Sequence, residues 1–365
     1  MIETTKLRIT TVTPVTIGSG AESSPYADYV IDNEQICFIN KQKMVEKIMQ
    51  KGDHYLDLYV YGVANGMDNN RSEFNLKSFL LNNKIVQSID DVVSSRCSFI
   101  GNPNNNLPIK GIIKSPLSKP YFPGSSIKGA LKTILMYNWL KTNKNAENTI
   151  EMVINDGNFD WLEKQFEYKE DAISGKIIRK NLIQQVTDSQ MLSNDSIIVV
   201  DCNRKIPLRF ECIAKDQTTE FELTLEKSKW EDLAAQANDY ALTVLEREFD
   251  IIQKDDKLTN YYNQLADIEE KINEANSDTT YMRVGFGKGY YLNSLGIAIY
   301  DYVNQDGKEV LYDKFEKFIN KQFAKKDKYG TIQEIDLEDF PKTRLFVTNT
   351  QEPLGWVKIE KRNKE

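Results

Sequence analysis

Three glycine-rich segments hold most of the residues that could do chemistry in this 365-residue chain. The first is Thr13-Pro-Val-Thr-Ile-Gly-Ser-Gly, in which Gly18, Ser19 and Gly20 would let backbone amides face an anion with no Cβ in the way. A plain turn explains it as simply. It is not a dinucleotide fingerprint, because no third glycine opens a helix in the required register. The second is Tyr121-Phe-Pro-Gly-Ser-Ser-Ile-Lys-Gly-Ala-Leu-Lys. Gly124, Ser125 and Ser126 stand at a helix start, and Lys128 and Lys132 lie one turn apart on a face beside Gly129. Free amides and hydroxyls at a helix N-terminus suit a phosphate, although an ordinary capped amphipathic helix has the same composition. A nucleotide triphosphatase does not fit: Lys128 precedes Gly129, and Ala130 occupies the place of the magnesium-binding hydroxyl. The third is Arg283-Val-Gly-Phe-Gly-Lys-Gly-Tyr-Tyr. There Arg283 and Lys288 supply cations, Gly285, Gly287 and Gly289 supply close approach, and Phe286 supplies a stacking face, the combination single-stranded RNA requires. A glycine turn with core aromatics is the structural alternative.

Other chemistries find little support. His54, flanked by Asp53 and Tyr55, is the single histidine, so a His-rich metal site is out of reach and any Ser-His-Asp triad would depend on it alone. It reads as a surface or satisfied polar residue. Cys37, Cys97, Cys202 and Cys212 lie far apart with no C-x-x-C pair, which argues for reduced, mostly buried thiols rather than a disulfide framework or zinc. No cofactor, no metal ligand and no catalytic residue is assigned. No stretch reaches the roughly 20 apolar residues that span a bilayer, and the first residues lack a signal-peptide run, so a cytoplasmic protein without a membrane partner is expected.

The formal net charge of -7, from 47 basic and 54 acidic residues, argues against a nucleic-acid partner on its face. The average conceals segregation. Val92 to Ala146 contains no Asp or Glu, yet holds Arg96, Lys110, Lys114, Lys119, Lys128, Lys132, Lys141 and Lys144. Shorter acid-free windows carry Lys176, Arg179 and Lys180, and then Arg283 and Lys288. Glu226 to Asp278, by contrast, has 14 acidic and 6 basic residues. An anion responds to the local field more than to the net charge, and the basic windows are where the glycines cluster.

Stepping outward to the elements, Lys6 to Ile17 reads as a strand, and Tyr29 to Ile39 as a hairpin turning at Asp32-Asn33-Glu34. Asn40 caps a helix with Met44, Val45 and Ile48 on one face. His54 to Asp91 holds short amphipathic pieces, and Gly101 to Asn106 is a loop. Ser125 or Ser126 opens a helix carrying Ile127, Ala130, Leu131, Ile134, Leu135 and Asn138. Lys180 to Val186, Ile197 to Asp201, Pro207 to Ala214 and Glu220 to Leu225 read as strands, the last two as a pair. A long helical pattern from Trp230 to Ala275 breaks near Asp255 to Thr259. Tyr281 to Val284, Arg344 to Val347 and Trp356 to Ile359 return to strand, and Tyr312 to Phe323 to helix. Paired strands interrupted by helices predict an α+β class with two units, 1–205 and 206–365.

Taken together, the three glycine segments, Val186-Thr-Asp-Ser189 and Pro353-Leu-Gly-Trp356 resemble the RAMP superfamily of CRISPR effector subunits, and within it the subunit-five family of the type III-A Csm complex. The resemblance spans almost the whole chain. It implies two RRM-like (ferredoxin-like) RAMP domains with helical insertions, in a subunit that binds crRNA and caps its 3′ end. It also implies contacts to neighbouring RAMP subunits of the Csm complex and a part in crRNA maturation through recruited host nucleases. The family's first glycine motif usually has histidine where Thr16 stands, so no role transfers to that position. Backbone subunits of such complexes cut RNA with a loop aspartate; Asp28 and Asp32 lie in a broadly similar region without a supporting motif. The expected activity is therefore non-catalytic RNA binding, with Lys128, Lys132, Arg179, Lys180, Arg283 and Lys288 on phosphates. The alternatives are a metal-independent endoribonuclease processing crRNA, a different RAMP subunit of a type III complex, and a protein–protein adaptor working through the acidic helical region.

Overall fold

The computed structural model describes residues 2–69, 74–142, 146–156, 159–170, 177–179, 182–202, 207–226, 228–253, 255–287, 295–326, 331–341 and 344–362. The strands in chain order are β1 (Ile2–Thr11), β2 (Gly18–Ser23), β3 (Tyr29–Asp32), β4 (Gln35–Ile39), β5 (Val93–Ile100), β6 (Ile109–Ile112), β7 (Tyr168–Glu170), β8 (Ile177–Arg179), β9 (Ile183–Val186), β10 (Ile197–Cys202), β11 (Leu208–Ile213), β12 (Thr218–Glu226), β13 (Thr279–Arg283), β14 (Lys325–Lys326), β15 (Ile332–Gln333) and β16 (Trp356–Lys361). The helices are α1 (Lys41–Lys51), α2 (Asp53–Asn69), α3 (Leu76–Asn82), α4 (Gly124–Thr142), α5 (Ala146–Asp156), α6 (Phe159–Glu167), α7 (Trp230–Ile252), α8 (Thr259–Asn273), α9 (Gly296–Val303) and α10 (Glu309–Phe323).

Two sheets dominate. The five-stranded sheet runs β13-β16-β1-β12-β9, all antiparallel. β1 alternates cleanly: Leu7 and Ile9 are fully buried, whereas Lys6, Arg8 and Thr10 face outward. Phe221, Leu223 and Leu225 of β12, with Val357 and Ile359 of β16, complete the inner face. α4 and α7 cover it with Ile127, Ala130, Leu131 and Ile134, and with Leu233, Ala234, Ala237 and Tyr240. Fully burying one such aliphatic chain is worth about 1.5–3 kcal/mol, so this shared core holds the helical layer on the sheet. The outer face is a polar lattice. Thr4 pairs with Thr224 at 2.9 Å and Thr10 with Thr218 at 3.0 Å, with Lys6 opposite Glu222 between them.

The seven-stranded sheet runs β2-β6-β11-β10-β5-β4-β3, and its β10–β5 and β11–β6 pairs are parallel. Asn33 and Glu34, both at positive φ, make the two-residue turn of the β3–β4 hairpin. α1 and α3 bury Met44, Ile48, Leu76 and Leu80 against Val30, Cys37 and Ile39. Asn40 caps α1 as expected, its side chain accepting from the Lys43 amide at 3.1 Å. The sheets join where Val15 and Ile213 exchange both backbone hydrogen bonds.

The architecture is of the α+β class that the sequence suggests, with helices packed on mostly antiparallel sheets. Each sheet takes strands from both sides of the 205/206 division, so the expected units are interleaved. β10 and β11 pair directly across it, and residues 203–206 lie outside the described set. β11 and β12, read as a pair, lie in different sheets. Arg344 to Val347 forms only isolated bridges, through Phe346 and Val347. All four cysteines are free; Cys37, Cys202 and Cys212 are buried and Cys97 is half-buried. Among the described residues no helix is long and apolar enough to cross a membrane.

Candidate nucleic-acid interface

The register of the five-stranded sheet brings two of the three glycine segments to one of its ends. At that end stand Arg283 of β13, Trp356 of β16, Thr11 of β1 and Thr218 of β12. The third segment leaves β13 there and the first leaves β1. The second starts α4 farther along the sheet, against the chain that leaves β9, whose Val186 pairs with Leu223 and so lies level with Thr5 of β1.

The first and third segments touch. The Phe286 amide donates to the Thr16 carbonyl at 2.8 Å, and a Cβ on Gly285 (φ 76°) would come within 2.2 Å of that oxygen. Gly285 is therefore glycine because another backbone occupies its side-chain space. Gly355 (φ 90°) repeats the arrangement: its amide donates to Pro14, and its missing Cβ leaves room for the Val284 carbonyl. The Trp356 amide donates to the Thr13 hydroxyl at 3.0 Å, tying the Pro353–Trp356 turn to the first segment. Thr16, where the family usually has histidine, is buried and contributes its carbonyl.

Several expected phosphate ligands have other partners. Arg283 is 7% exposed: its Nε donates to Leu354 O at 2.9 Å and its Nη2 to Gly287 O at 2.8 Å, with the guanidinium near the Trp356 ring. It is the internal clamp of the glycine turn, not a surface cation. Lys132 is bound to Glu167 at 2.5 Å. Gly124 is buried and its amide donates to Asp188 Oδ1 at 2.8 Å, so a carboxylate already sits at the start of α4. A Cβ there would collide with Val186 O at 2.2 Å, which is why the position is glycine. The Ser19 hydroxyl donates to Gly111 O at 3.1 Å.

What stays open at this end is narrower. Gly18 and Gly20 lie exposed on β2, an edge strand, with nothing within 4 Å of either missing Cβ. Phe286 is 46% exposed and leans on Phe210, ring centroids 5.1 Å apart, while Gly287 turns beside it. Away from that end, beside β9, Ser125 and Gly129 are exposed on α4 with Ser126 half-buried, and Lys128 is exposed, its Nζ donating to Gln184 O at 3.1 Å. Arg179 ends β8, and Lys180, Lys288 and Gly289 lie outside the described residues. Phe210, which supports Phe286, escaped the sequence reading because its strand has no glycine or charge run to mark it.

The acid-free window is also not acid-free in space. Lys110 meets Glu22 at 2.6 Å, Lys114 meets Glu211 at 2.7 Å, Lys141 meets Asp239 at 3.2 Å, and Arg96 meets Asp90 and, at 3.8 Å, Asp32. Carboxylates from outside the window thus fold back onto these basic residues. The two aspartates considered for catalysis are likewise engaged, Asp28 with Lys41 at 2.5 Å and Asp32 with Lys77 at 2.8 Å. His54 is exposed on α2. The described residues contain no cluster of three metal-ligating side chains.

Comparison with known proteins adds to this geometry. The model of the RAMP superfamily matches residues 8–293. A Methanocaldococcus jannaschii protein described as CRISPR system Cms protein Csm5 is 25% identical, over 98% of this chain and 88% of its own. A Streptococcus thermophilus protein of the same description is 29% identical over 60% of this chain and 64% of its own. Among solved structures, the crystal structure of T. onnurineus Csm5 superposes with a TM-score of 0.63 at 17% identity, covering 96% of this chain and 99% of that one. A chain from the cryo-EM structure of a Csm-crRNA-target RNA ternary complex of a type III-A CRISPR-Cas system gives 0.67 at 18% identity, covering 98% and 100%.

Proposed function

The chain belongs to the RAMP superfamily, and on that premise we propose that it is a non-catalytic RNA-binding subunit of a type III-A Csm effector complex, seated at the 3′ end of the crRNA. The observation that carries the reading is the sheet end where Gly18, Gly20, Phe286 and Gly287 remain accessible beside two packed glycine turns, with Lys128 exposed farther along the sheet beside β9. Small residues there admit a phosphodiester backbone, the edge strand offers unpaired peptide groups, and Phe286 offers one stacking face. Because phosphates and backbone shape are read, binding is largely independent of guide sequence. The resemblance to Csm5 proteins over the whole chain supports the subunit assignment, and with it a part in crRNA maturation through recruited nucleases and contacts to neighbouring RAMP subunits.

The test is to purify the tagged chain from its native cell and sequence bound RNA. Short species derived from CRISPR repeats are expected; recovery of random cellular RNA, or none, overturns the assignment. Incubation with precursor RNA in EDTA separates the endoribonuclease alternative, which requires site-specific cleavage.

A further inference from the structure

α10 packs inward through Phe315 and Ile319, both buried, with Leu311, Tyr312 and Phe318 against the same core. The opposite stripe is Val310, Lys314, Lys317 and Lys321, which the 3.6-residue period gathers on one face, and all four are exposed. Lys325 and Lys326 of β14, also exposed, follow just past the helix end, their side chains on opposite faces of the short strand. Lys314 donates to the neutral Asn155 side chain at 2.7 Å. Among the described residues, Lys317, Lys321, Lys325 and Lys326 have no carboxylate within ion-pair distance. The acids of the helix, Glu309, Asp313 and Glu316, fall to one side of the stripe at 100° per residue.

Such a row is costly to the isolated fold, because like charges three and four residues apart on a helix destabilise one another. The helix dipole favours Lys321 in the last turn but does nothing for Lys314, Lys317 or the strand lysines. Lysines one helical turn apart lie about 4.5–6 Å apart along the axis, a series of mobile point charges suited to an irregular run of phosphates. Phe323, 39% exposed, sets its ring against Phe340, and Ile332, 58% exposed, lies opposite Lys326. The row itself is made of charge rather than of the aromatic side chains that fill the centre of a protein–protein interface.

We propose that this row is a second contact for single-stranded RNA backbone, on the helical layer and apart from the glycine-lined sheet end. It rests on the reading of the chain as an RNA-binding subunit. The experiment is a salt series of binding by the purified full chain to a fluorescently labelled single-stranded RNA of mixed sequence. Lys317→Gln/Lys321→Gln/Lys325→Gln/Lys326→Gln is expected to make the slope of log K against log salt shallower by about 3, at roughly 0.7 for each lost phosphate contact. Lys325→Gln/Lys326→Gln, which leaves the helix untouched, should shift it by about 1.4, and Lys128→Ala by about 0.7, by the same rule. Thermal melts report whether each variant is folded. A wild-type slope in both row variants, with Lys128→Ala shallower, overturns the second contact and leaves the RNA-binding reading standing. Absence of RNA binding by the wild-type chain overturns both. Unchanged slopes with loss of a neighbouring subunit from the assembled complex would assign the row to an acidic protein and overturn the RNA contact.

Discussion

The chain has two lysine-rich regions whose sequence and spatial characters are opposite. Residues 92–146 contain no carboxylate, yet Arg96, Lys110, Lys114, Lys132 and Lys141 are each held by an acid from elsewhere. α10 and β14 look unremarkable in sequence, with Glu309, Asp313 and Glu316 interspersed, yet present four lysines unopposed by any described carboxylate. A field belongs to a surface, and folding assembles that surface from segments a hundred residues apart. Acid-free sequence marked where the fold stores its long-range ion pairs, while helical spacing marked a stripe of lysines that no described carboxylate meets.

The contrast can be broken or sharpened by mutation. The deepest paired cation is Arg209 on β11, fully buried, with Nε on Asp201 Oδ1 at 2.6 Å and Nη1 on the Tyr29 hydroxyl at 2.8 Å. Arg209→Met should cost about 3–5 kcal/mol in urea unfolding by leaving Asp201 buried and unpaired. Lys114→Met strands Glu211, which is 4% exposed and otherwise accepts from the Ile112 amide among the described residues, and should cost about 1–3 kcal/mol by the same measurement. Lys132→Gln breaks a half-buried pair with Glu167 and should cost about 0.5–1 kcal/mol, less at high salt. Lys317→Gln/Lys321→Gln should reverse the sign, stabilising by a few tenths of a kcal/mol as repulsion is relieved. A loss above about 1 kcal/mol in that last pair would mean the row is structural, and the contrast would collapse.

Local signals made much of the fold legible. The Asn40 cap, the Asn33-Glu34 turn, the break between α7 and α8 at residues 253–258 and the apolar stripe of α4 follow from capping, turn chemistry and helical period. β2 was hidden because its glycines and exposed residues give no alternation, and α9 because it is short and, apart from Asp301, apolar or small throughout, so that no stripe stands out. The pairing of β1 with β12 and β16 joins residues more than two hundred apart, which no local window contains. At the candidate interface the glycines were legible and their reasons were not. Gly124 and Gly285 are small because backbone carbonyls stand 2.2 Å from where a Cβ would be, and Arg283 is inward because two carbonyls need a donor. Composition identifies such residues as special; only the neighbouring chain decides whether a ligand or the protein itself fills the space.

The central position of β1 has a consequence for biosynthesis. During translation the first strand waits with one long edge bare until residues 218–226 emerge, and with the other bare until residues 356–361 do. The turns at Gly285 and Gly355 lock onto residues 14–16 only after that last strand docks. A polypeptide interrupted before residues 356–361 would thus lack the shaped rim at the sheet end, however complete its earlier strands.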